Sequence, residues 1–434
     1  MTRAAARALA ALLPLSLLAG CGGGLVVTPP ADGRCAAAEP WSWATAASDA
    51  LQTRPFRRRQ LYDLDATNKP VPFEPGPCAD CAAVVSYPAP TRHPGGPDGL
   101  ERLADRSFTY DNALYALLRV EEGRKSAARA VLDTLAALQR ADGAWGFSFA
   151  IEHDGFYNLG YVRSGAVAWV LYAMARYERR YGEGRYRLAM RRAAGYLRDR
   201  FAPNLGLVLG GYGRWSADGA SFEPLARADW ASTEHNIDAA FALRAAALAD
   251  AEGEYLDGAR LAATIAERLF LGADGHYARG ARPDGLDAEP ALDAVGTWSA
   301  LLDVQRGDPA RAATVLAATD RLLGGVDGPW RIWRPGDDNP AQTWFVEGSV
   351  ARAIALHRLG RSEHARADLA QLARWACAGG VPLTYASRWA KDFPVTPAVA
   401  PTVWFVFAAR EVLGIAPPSL WAESLALSAT TPDR

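Results

Sequence analysis

The chain of 434 residues has 47 basic and 48 acidic side chains, and half of its residues are apolar. The balanced charge gives no basic surface for nucleic acid, and the apolar half is sufficient for a sizeable core. Fourteen tryptophans and 15 tyrosines against three methionines favour rigid aromatic surfaces, which protein cores and sugar-binding clefts both use.

The start of the chain has the features of a secretion signal. Two arginines precede an apolar stretch from Leu9 to Leu18 that is too short to cross a bilayer. The next residues, Leu18-Ala19-Gly20-Cys21, resemble the lipobox of bacterial lipoproteins, in which the cysteine is lipidated. The resemblance implies a signal peptide over 1–20, a lipid anchor at Cys21 and a tether over 21–40. The glycine after the anchor implies sorting to the outer membrane, facing the periplasm. An ordinary signal peptide is the alternative.

The other four cysteines are Cys35, Cys78, Cys81 and Cys377. They form an even set in an oxidising compartment, so one or two disulfides are expected, in a pairing that the sequence leaves open. Cys78-Ala-Asp-Cys81 has the spacing of half a zinc site, but no second pair exists. We therefore predict neither a metal nor a cofactor.

Helical hairpins are predicted for most of the chain. A short helix from Trp41 to Leu51 precedes a proline-rich segment, Thr53 to Asp98, which has no helical period and is expected to wrap a surface or cover a site. From Arg106 onward, helices pair in sequence. The first pair joins Ser107–Leu118 to Ala127–Arg140.

The hairpin recurs at intervals of roughly 50 to 70 residues. Its later copies begin near Ser164, Glu234, Gly296, Glu347 and Thr402. The first helix of each pair is rich in alanine and aromatic residues, which indicates burial on most sides, whereas the second is amphipathic. With the helix near the N-terminus completing a sixth pair, the sequence predicts an all-α (α/α)6 toroid over residues 41–434.

Two helix starts carry a resemblance to a known superfamily. Through Phe108-Thr-Tyr-Asp-Asn-Ala-Leu114, Ser232-Thr-Glu-His-Asn-Ile-Asp238 and the hairpin rhythm, the chain resembles the six-hairpin glycosidase-like (α/α)6 barrels. Most members process glycosides or polysaccharides at the N-terminal ends of their inner helices. Gln139-Arg-Ala-Asp-Gly-Ala-Trp145 also resembles one copy of the terpene cyclase repeat, but the acidic motifs of those enzymes are absent.

The superfamily resemblance implies carboxylate chemistry at the inner-helix starts. Glycoside hydrolysis needs one carboxyl group that donates a proton and one that attacks or activates water. Glu234 follows Ser232 as N-cap, so the helix dipole favours its ionised form and a role as base or nucleophile. Glu347 has apolar neighbours in sequence and is the expected general acid. Asp111 and Asp238 complete the catalytic candidates, with helix capping and buried ion pairing as alternatives.

Polar and aromatic side chains near these acids are predicted to bind the sugar, with a place in the core as the alternative for each. The set is Tyr110, Asn112, Trp145, Tyr161, Trp230, His235, Asn236, Trp298 and Trp344. The sequence thus predicts a monomeric, carbohydrate-active lipoprotein, with glycoside hydrolysis favoured. A polysaccharide lyase with His235 as base, and a non-catalytic glycan-binding or assembly protein, remain open.

Overall fold

The computed structural model describes residues 40–56, 61–64, 70–87, 106–151, 160–215, 222–327, 330–336, 343–376, 380–381, 384–386 and 397–427. The predicted signal peptide, Cys21, Cys35 and Cys377 lie outside these ranges. The described α-helices are α1 (Pro40–Ala50), α2 (Thr109–Glu121), α3 (Lys125–Leu138), α4 (Ser164–Tyr181), α5 (Arg187–Asp199), α6 (Thr233–Ala249), α7 (Gly258–Arg268), α8 (Trp298–Arg306), α9 (Pro309–Leu322), α10 (Val346–Arg358), α11 (Ser362–Ala376) and α12 (Val399–Val412).

Six of these helices form a closed inner ring. Helices α2, α4, α6, α8, α10 and α12 pack against one another in that order, and α12 returns to α2. A π-helical turn, Leu292–Thr297, leads into α8. The outer helices α3, α5, α7, α9 and α11 each cover the inner helix before them, and α1 covers α12. The toroid of six hairpins is therefore confirmed, with α1 completing the sixth pair.

Burial along the helices explains which of them face inward. Most of α6 is buried, and its alanines allow its neighbours to approach closely. In α7, by contrast, Leu261 and Ile265 are buried on one face, whereas Arg260 lies on the exposed one. The alanine-rich and amphipathic patterns thus separate the inner ring from the outer one.

Short antiparallel strands lie between the helices. They are β1 (Thr53–Pro55), β2 (Leu61–Leu64), β3 (Pro70–Phe73), β4 (Ala82–Val84), β5 (Arg106–Phe108), β6 (Ser148–Ala150), β7 (Val162–Arg163), β8 (Phe201–Ala202), β9 (Leu207–Val208), β10 (Gly211–Trp215), β11 (Phe222–Arg227), β12 (Ala231–Ser232), β13 (Phe270–Leu271), β14 (His276–Tyr277), β15 (Gly280–Arg282), β16 (Gly285–Asp287), β17 (Gly324–Asp327), β18 (Trp330–Trp333), β19 (Thr343–Phe345) and β20 (Thr384–Ala386). Four of them, β1 to β4, fall in the segment that was expected to be irregular. Strand β4 pairs with β1, and the Cys78–Cys81 disulfide closes the turn before it.

A hydrogen bond from the hydroxyl group of the first residue fixes the start of three inner helices. The first residue of α2, Thr109, donates to the carbonyl of Gly146 at 2.5 Å, and the first residue of α6, Thr233, donates to that of Ala278 at 2.5 Å. Ser164, at the start of α4, donates to the Leu209 carbonyl at 2.6 Å. Each hydroxyl therefore ties an inner helix to the loop that follows its own outer helix.

The fourth residue of three inner helices bonds to the backbone of a segment that comes earlier in the chain. Asn112 accepts from the Val84 backbone at 3.0 Å. Asn236 accepts from Val208 at 2.7 Å and donates back to its carbonyl. In α12, the equivalent Thr402 accepts from Val381 at 2.8 Å. These bonds use the first and fourth positions of the inner helices for structure. The end of the ring where the inner helices begin is hereafter called the mouth.

The segment after α12 closes the opposite end of the ring. Trp421 inserts into the barrel and stacks on Phe241, with ring centroids 4.7 Å apart, and on Trp169 at 5.1 Å. Its backbone N–H donates to the Tyr172 hydroxyl, and Arg358 at the end of α10 donates to its carbonyl. The barrel thus has an aromatic floor beneath the mouth. Within the described part, no helix is both long and apolar enough to cross a membrane.

Candidate active site

A chain of two hydrogen bonds crosses the mouth. The second residue of α2, Tyr110, donates its hydroxyl proton to Oε1 of Glu347, the second residue of α10, at 2.5 Å. The indole Nε1 of Trp404, on the intervening helix α12, donates to the Tyr110 hydroxyl at 2.8 Å. Because a phenol has a single proton, the Trp404 bond directs that proton to Glu347. Oε1 of Glu347 is therefore held as a hydrogen-bond acceptor.

The Tyr110 hydroxyl stays protonated at physiological pH. Burial, and after it the neighbouring Glu347 carboxylate, raise the pKa of Tyr110 well above its ordinary value. The ring also packs edge to face against Trp169, with centroids 5.4 Å apart, so the floor of the barrel supports its position. Tyr110 is consequently a fixed hydrogen-bond donor to Glu347.

Asp111 lies in the same part of the mouth and has a different environment. Burial raises the pKa of Asp111 to about 7, although hydrogen bonds from Ser86 and from the Ala400 backbone favour the charged form. The Ala400 bond also caps the start of α12, which has no cap from its own chain segment. Burial, then Asp111 and Glu347, raise the pKa of Tyr87, so both carboxyl groups lie near its hydroxyl. The site therefore holds Asp111, which burial favours as an acid, and Glu347, which accepts a hydrogen bond from Tyr110.

The raised pKa of Asp111 predicts a pH-dependent stability. The ordinary pKa of 3.8 describes the unfolded chain, so between about pH 4 and pH 7 the folded chain keeps a proton that the unfolded chain releases. The stabilisation by the protonated Asp111 is complete below the pKa of the unfolded chain and is lost as pH rises through the pKa of the folded chain. The free energy of unfolding then falls by about 4 kcal/mol. Asp111→Asn should remove this dependence in urea unfolding at low and high pH. Equal pH slopes for variant and wild type would contradict it.

The opposite side of the mouth carries His235 and Asp238. A Cβ atom on Gly165, the second residue of α4, would lie 2.5 Å from Cδ2 of His235 and 2.8 Å from Oδ2 of Asp238. Both side chains therefore pack against bare backbone. Burial, and then the charge of Arg163, lower the pKa of His235 to about 3, so the imidazole is neutral at physiological pH. Its buried Nδ1 has no hydrogen-bond partner among the described residues.

The close packing at Gly165 predicts the effect of a single methyl group. Gly165→Ala should displace His235 and Asp238 and lower the free energy of unfolding by about 1–3 kcal/mol, since overpacking forces neighbours out of place. Gly195 on α5 is the matched control, because its Cβ would meet nothing within 4 Å. There, alanine should stabilise the helix by about 0.5–1 kcal/mol. Thermal unfolding of both variants measures the difference, and equal shifts would refute the packing argument.

An arginine between two aromatic rings borders His235. The Arg163 guanidinium lies 3.7 Å from the centre of the Tyr161 ring and 5.5 Å from that of Trp230. It donates to the carbonyls of Tyr212 at 2.6 Å and Gly213 at 3.3 Å, which hold it in place. Trp230 is partly exposed, and its ring lies 5.8 Å from that of His235. The structure thus brings Tyr161, Trp230 and His235 together around Arg163, and their contact with a sugar stays a prediction.

The structure corrects the prediction of substrate contact for four residues. Trp145 is 1% exposed and donates to the Leu135 carbonyl, and Trp344 is equally buried and donates to Ser349. Asn112 and Asn236 are completely buried in the backbone bonds described above. Their polar atoms hold the hairpins together, so these side chains have no surface for a ligand.

Trp298 belongs to the barrel interior. It is 1% exposed and lies 4.7 Å from the ring of Trp404, while its Nε1 has no partner among the described residues. Glu234, the second residue of α6, is partly exposed at the mouth.

The sequence reasoning missed Tyr87 and Trp404. One feature of the sequence could have identified Trp404. It is the sixth residue of its inner helix, the position that Trp169 has in α4.

Neither a family model nor a curated protein matches the sequence. Solved structures do match. A D-mannose isomerase is 14% identical with a TM-score of 0.54, covering 72% of this chain and 88% of its own. A glycosidase carrying the E178A substitution is 14% identical with a TM-score of 0.53, covering 77% and 92%. The fold is that of the six-hairpin glycosidases.

A family 76 glycoside hydrolase from a bovine Bacteroides thetaiotaomicron strain extends this comparison. It is 10% identical with a TM-score of 0.53, covering 88% of this chain and 79% of its own. At such identities the similarity establishes the fold alone. The structural neighbours are glycoside hydrolases and isomerases built on the same toroid. Because one fold can carry several activities, the reaction of each protein depends on the residues of its own mouth.

Proposed function

We propose that this protein is a glycoside hydrolase acting on an oligo- or polysaccharide at the mouth, with Glu347 as the base or nucleophile and Asp111 as the proton donor. The observation that carries the proposal is the chain from Trp404 through Tyr110 to Glu347, with Asp111 as the residue that follows Tyr110. This hydrolysis requires one protonated and one ionised carboxyl group, and we assign the protonated role to Asp111, whose pKa burial raises, and the ionised role to Glu347.

The proposed role of Glu347 differs from the one that its sequence neighbours suggested. Its apolar neighbours along the chain favoured a protonated acid. Tyr110, which is 237 positions away, donates to it, and this hydrogen bond is the reason that we assign the ionised role to Glu347. Burial keeps Asp111 protonated up to about pH 7, and it becomes the better proton donor. Glu234 and Asp238 then remain as carboxylates that orient sugar hydroxyls, with Tyr161, Trp230 and His235 as further contacts.

The two candidate acids can be separated by their pH–rate profiles. If Asp111 donates the proton, activity falls as pH rises through about 7, and Asp111→Asn lowers kcat and abolishes that limb. In that case Glu234→Gln keeps the limb while it weakens binding. Loss of the limb and of turnover in Glu234→Gln, with Asp111→Asn active, would assign the proton to Glu234.

The properties of His235 favour hydrolysis over elimination. A lyase needs a base that takes a proton from the sugar, and such a base works best when its pKa lies near the operating pH. The pKa of His235, at about 3, lies far below neutrality, so the imidazole is a weak proton acceptor. The carboxyl groups of the mouth are better matched to acid–base work.

A glycan panel tests the proposal against its rivals. The purified protein is incubated with bacterial exopolysaccharides and plant glycans, and new reducing ends are measured together with the ultraviolet absorbance of unsaturated uronides. Reducing ends without absorbance support hydrolysis. Both signals together would assign a lyase. Neither signal, with retained binding to a glycan, would assign a non-catalytic glycan-binding protein.

We also propose that the protein is a monomeric lipoprotein of the outer membrane, held at Cys21. The support is the lipobox-like sequence before that residue. Metabolic labelling with a palmitate analogue should mark the wild-type protein and leave Cys21→Ser unmarked. Equal labelling of both would refute the anchor, and sedimentation in detergent measures whether the protein is monomeric.

A further inference from the structure

The segment after α12 reaches the two tryptophans that hold Tyr110 at the mouth. Trp421 stacks on Trp169 with ring centroids 5.1 Å apart, and it packs edge to face against Trp404 at 5.6 Å. Trp404 donates its indole N–H to the Tyr110 hydroxyl, and Trp169 packs edge to face against the Tyr110 ring. Trp421 therefore contacts one residue that supports the Tyr110 ring and another that binds its hydroxyl.

Close packing passes the position of Trp421 on to Tyr110. The side chains of Trp404 and Trp421 are at most 1% exposed. The ring of Trp298 packs against both, with its centroid 4.7 Å from that of Trp404 and 6.0 Å from that of Trp421. A close-packed interior leaves few voids that could absorb a shift, so neighbouring rings move together. The direction of the Trp404 indole N–H thus depends on the ring that fills the space beside it.

The backbone at Trp421 is strained, and its surroundings hold it in that state. In the part of the chain that the structure describes, it is the one non-glycine residue with a positive φ. Its N–H donates to the Tyr172 hydroxyl at 2.9 Å, and Arg358 donates to its carbonyl at 3.0 Å. Glu423, whose side chain is 1% exposed, accepts from Tyr172 and from Arg176. Strained residues persist where the surroundings over-determine them, and they cluster at functional sites.

We propose that Trp421 is a positioning residue, which keeps the Tyr110 hydroxyl directed at Glu347 by holding Trp404 in place. The inference rests on the proposed function, in which Glu347 is the base or nucleophile. Because a phenol has a single proton, the bond that its oxygen accepts from Trp404 fixes the direction of that proton. A displaced Trp404 releases this constraint, and the bond from Tyr110 to Glu347 weakens.

A double-mutant cycle tests whether Trp421 acts through Tyr110. Trp421→Phe keeps an aromatic ring and a side chain at the strained φ, but it leaves a gap beside Trp404. We expect kcat to fall about threefold to tenfold with KM unchanged, and no further fall when the same change is made in Tyr110→Phe, where the hydroxyl is absent. An equal fold loss of kcat in both backgrounds overturns the inference.

Tyr186→Leu is the matched control for the loss of a buried aromatic ring. Tyr186 lies in the connection between α4 and α5, is 1% exposed, and packs against Tyr177. Its removal should lower the free energy of unfolding and leave kcat at the wild-type value. Circular dichroism at the assay temperature verifies that every variant is folded. A loss of kcat in Tyr186→Leu equal to that in Trp421→Phe would assign the effect to general loosening and overturn the inference.

A measurement without substrate separates this inference from the proposed function. In protein with ¹⁵N-labelled tryptophan, the indole signal of Trp404 is the one that is absent in Trp404→Phe. Its proton should exchange with water roughly tenfold faster in Trp421→Phe than in the wild type or in Tyr186→Leu, because a weakened hydrogen bond opens more often. Unchanged exchange overturns the inference, whatever the activity. Faster exchange in a protein that cleaves no glycan supports the positioning of Tyr110 and contradicts the proposed function.

Discussion

Replacing Glu347 by Gln is expected to lower kcat on the order of 10³-fold, the scale of a lost acid–base group, and to leave the fold intact. Glutamine keeps an oxygen that accepts the Tyr110 proton, so the chain from Trp404 is preserved while the negative charge is lost. Because the charge acts in the transition state, the loss should be seen in kcat rather than in KM. Steady-state kinetics on the glycan cleaved in the panel measure both constants.

Tyr110→Phe separates the positioning of the Glu347 carboxyl group from its chemical role in the reaction. This variant removes the hydrogen bond to Glu347 but leaves its carboxyl group. We expect about a tenfold lower kcat and an acidic limb of the pH–rate profile that moves to higher pH, since the carboxylate loses a donor that favours its charged form. Glu254→Gln on the outer surface is the charge control for Glu347→Gln and should match the wild type. A Glu347→Gln variant that kept a large part of the activity would remove Glu347 from the mechanism.

Trp421→Ala is expected to cost about 3–5 kcal/mol of the free energy of unfolding, the range for a fully buried tryptophan. The ring fills the centre of the barrel and contacts aromatic rings from four inner helices. They are Trp169, Phe241, Trp298 and Trp404. Removing it leaves a cavity under the mouth that the rigid toroid cannot close. Urea unfolding followed by tryptophan fluorescence and circular dichroism measures the loss.

The backbone at Trp421 adds a second expectation. Its φ of 49° lies in the left-handed region, where a side chain costs roughly 1–2 kcal/mol and glycine costs little. Trp421→Gly should therefore be less destabilising than Trp421→Ala, although it removes more atoms. Leu427→Ala, in the same segment at a side chain that is 59% exposed, should change stability by less than about 0.5 kcal/mol. Similar losses at both positions would show that the segment does not close the barrel.

The ring of hairpins was predictable because its signals are local. Alanine-rich helices alternate with amphipathic ones along the chain, and this order alone assigned the inner and outer layers. Even the sixth pair followed from sequence, since α12 lacked an outer partner and α1 was available. The short strands were missed, because most of them have only two to four residues, too few for an alternating pattern to be recognised.

The division between structural and chemical residues at the helix starts was not predictable. Asn112 and Tyr110 belong to one short motif, yet Asn112 binds Val84 of strand β4 and Tyr110 binds Glu347 across the ring. Both partners are distant in sequence, so nothing local separates the two roles. The same holds for Trp421, which looks like any aromatic residue of an irregular tail until the barrel closes around it.

The central claim is that the carboxylates of the mouth add water across a glycosidic bond. Digestion of the cleaved glycan in water labelled with heavy oxygen, followed by mass spectrometry of the products, tests it most directly. Hydrolysis by the wild type predicts one labelled oxygen atom at each new cleavage, and Glu347→Gln should yield essentially no product. Unlabelled products with an unsaturated terminal sugar, or labelled products from Glu347→Gln at the wild-type rate, would contradict the account.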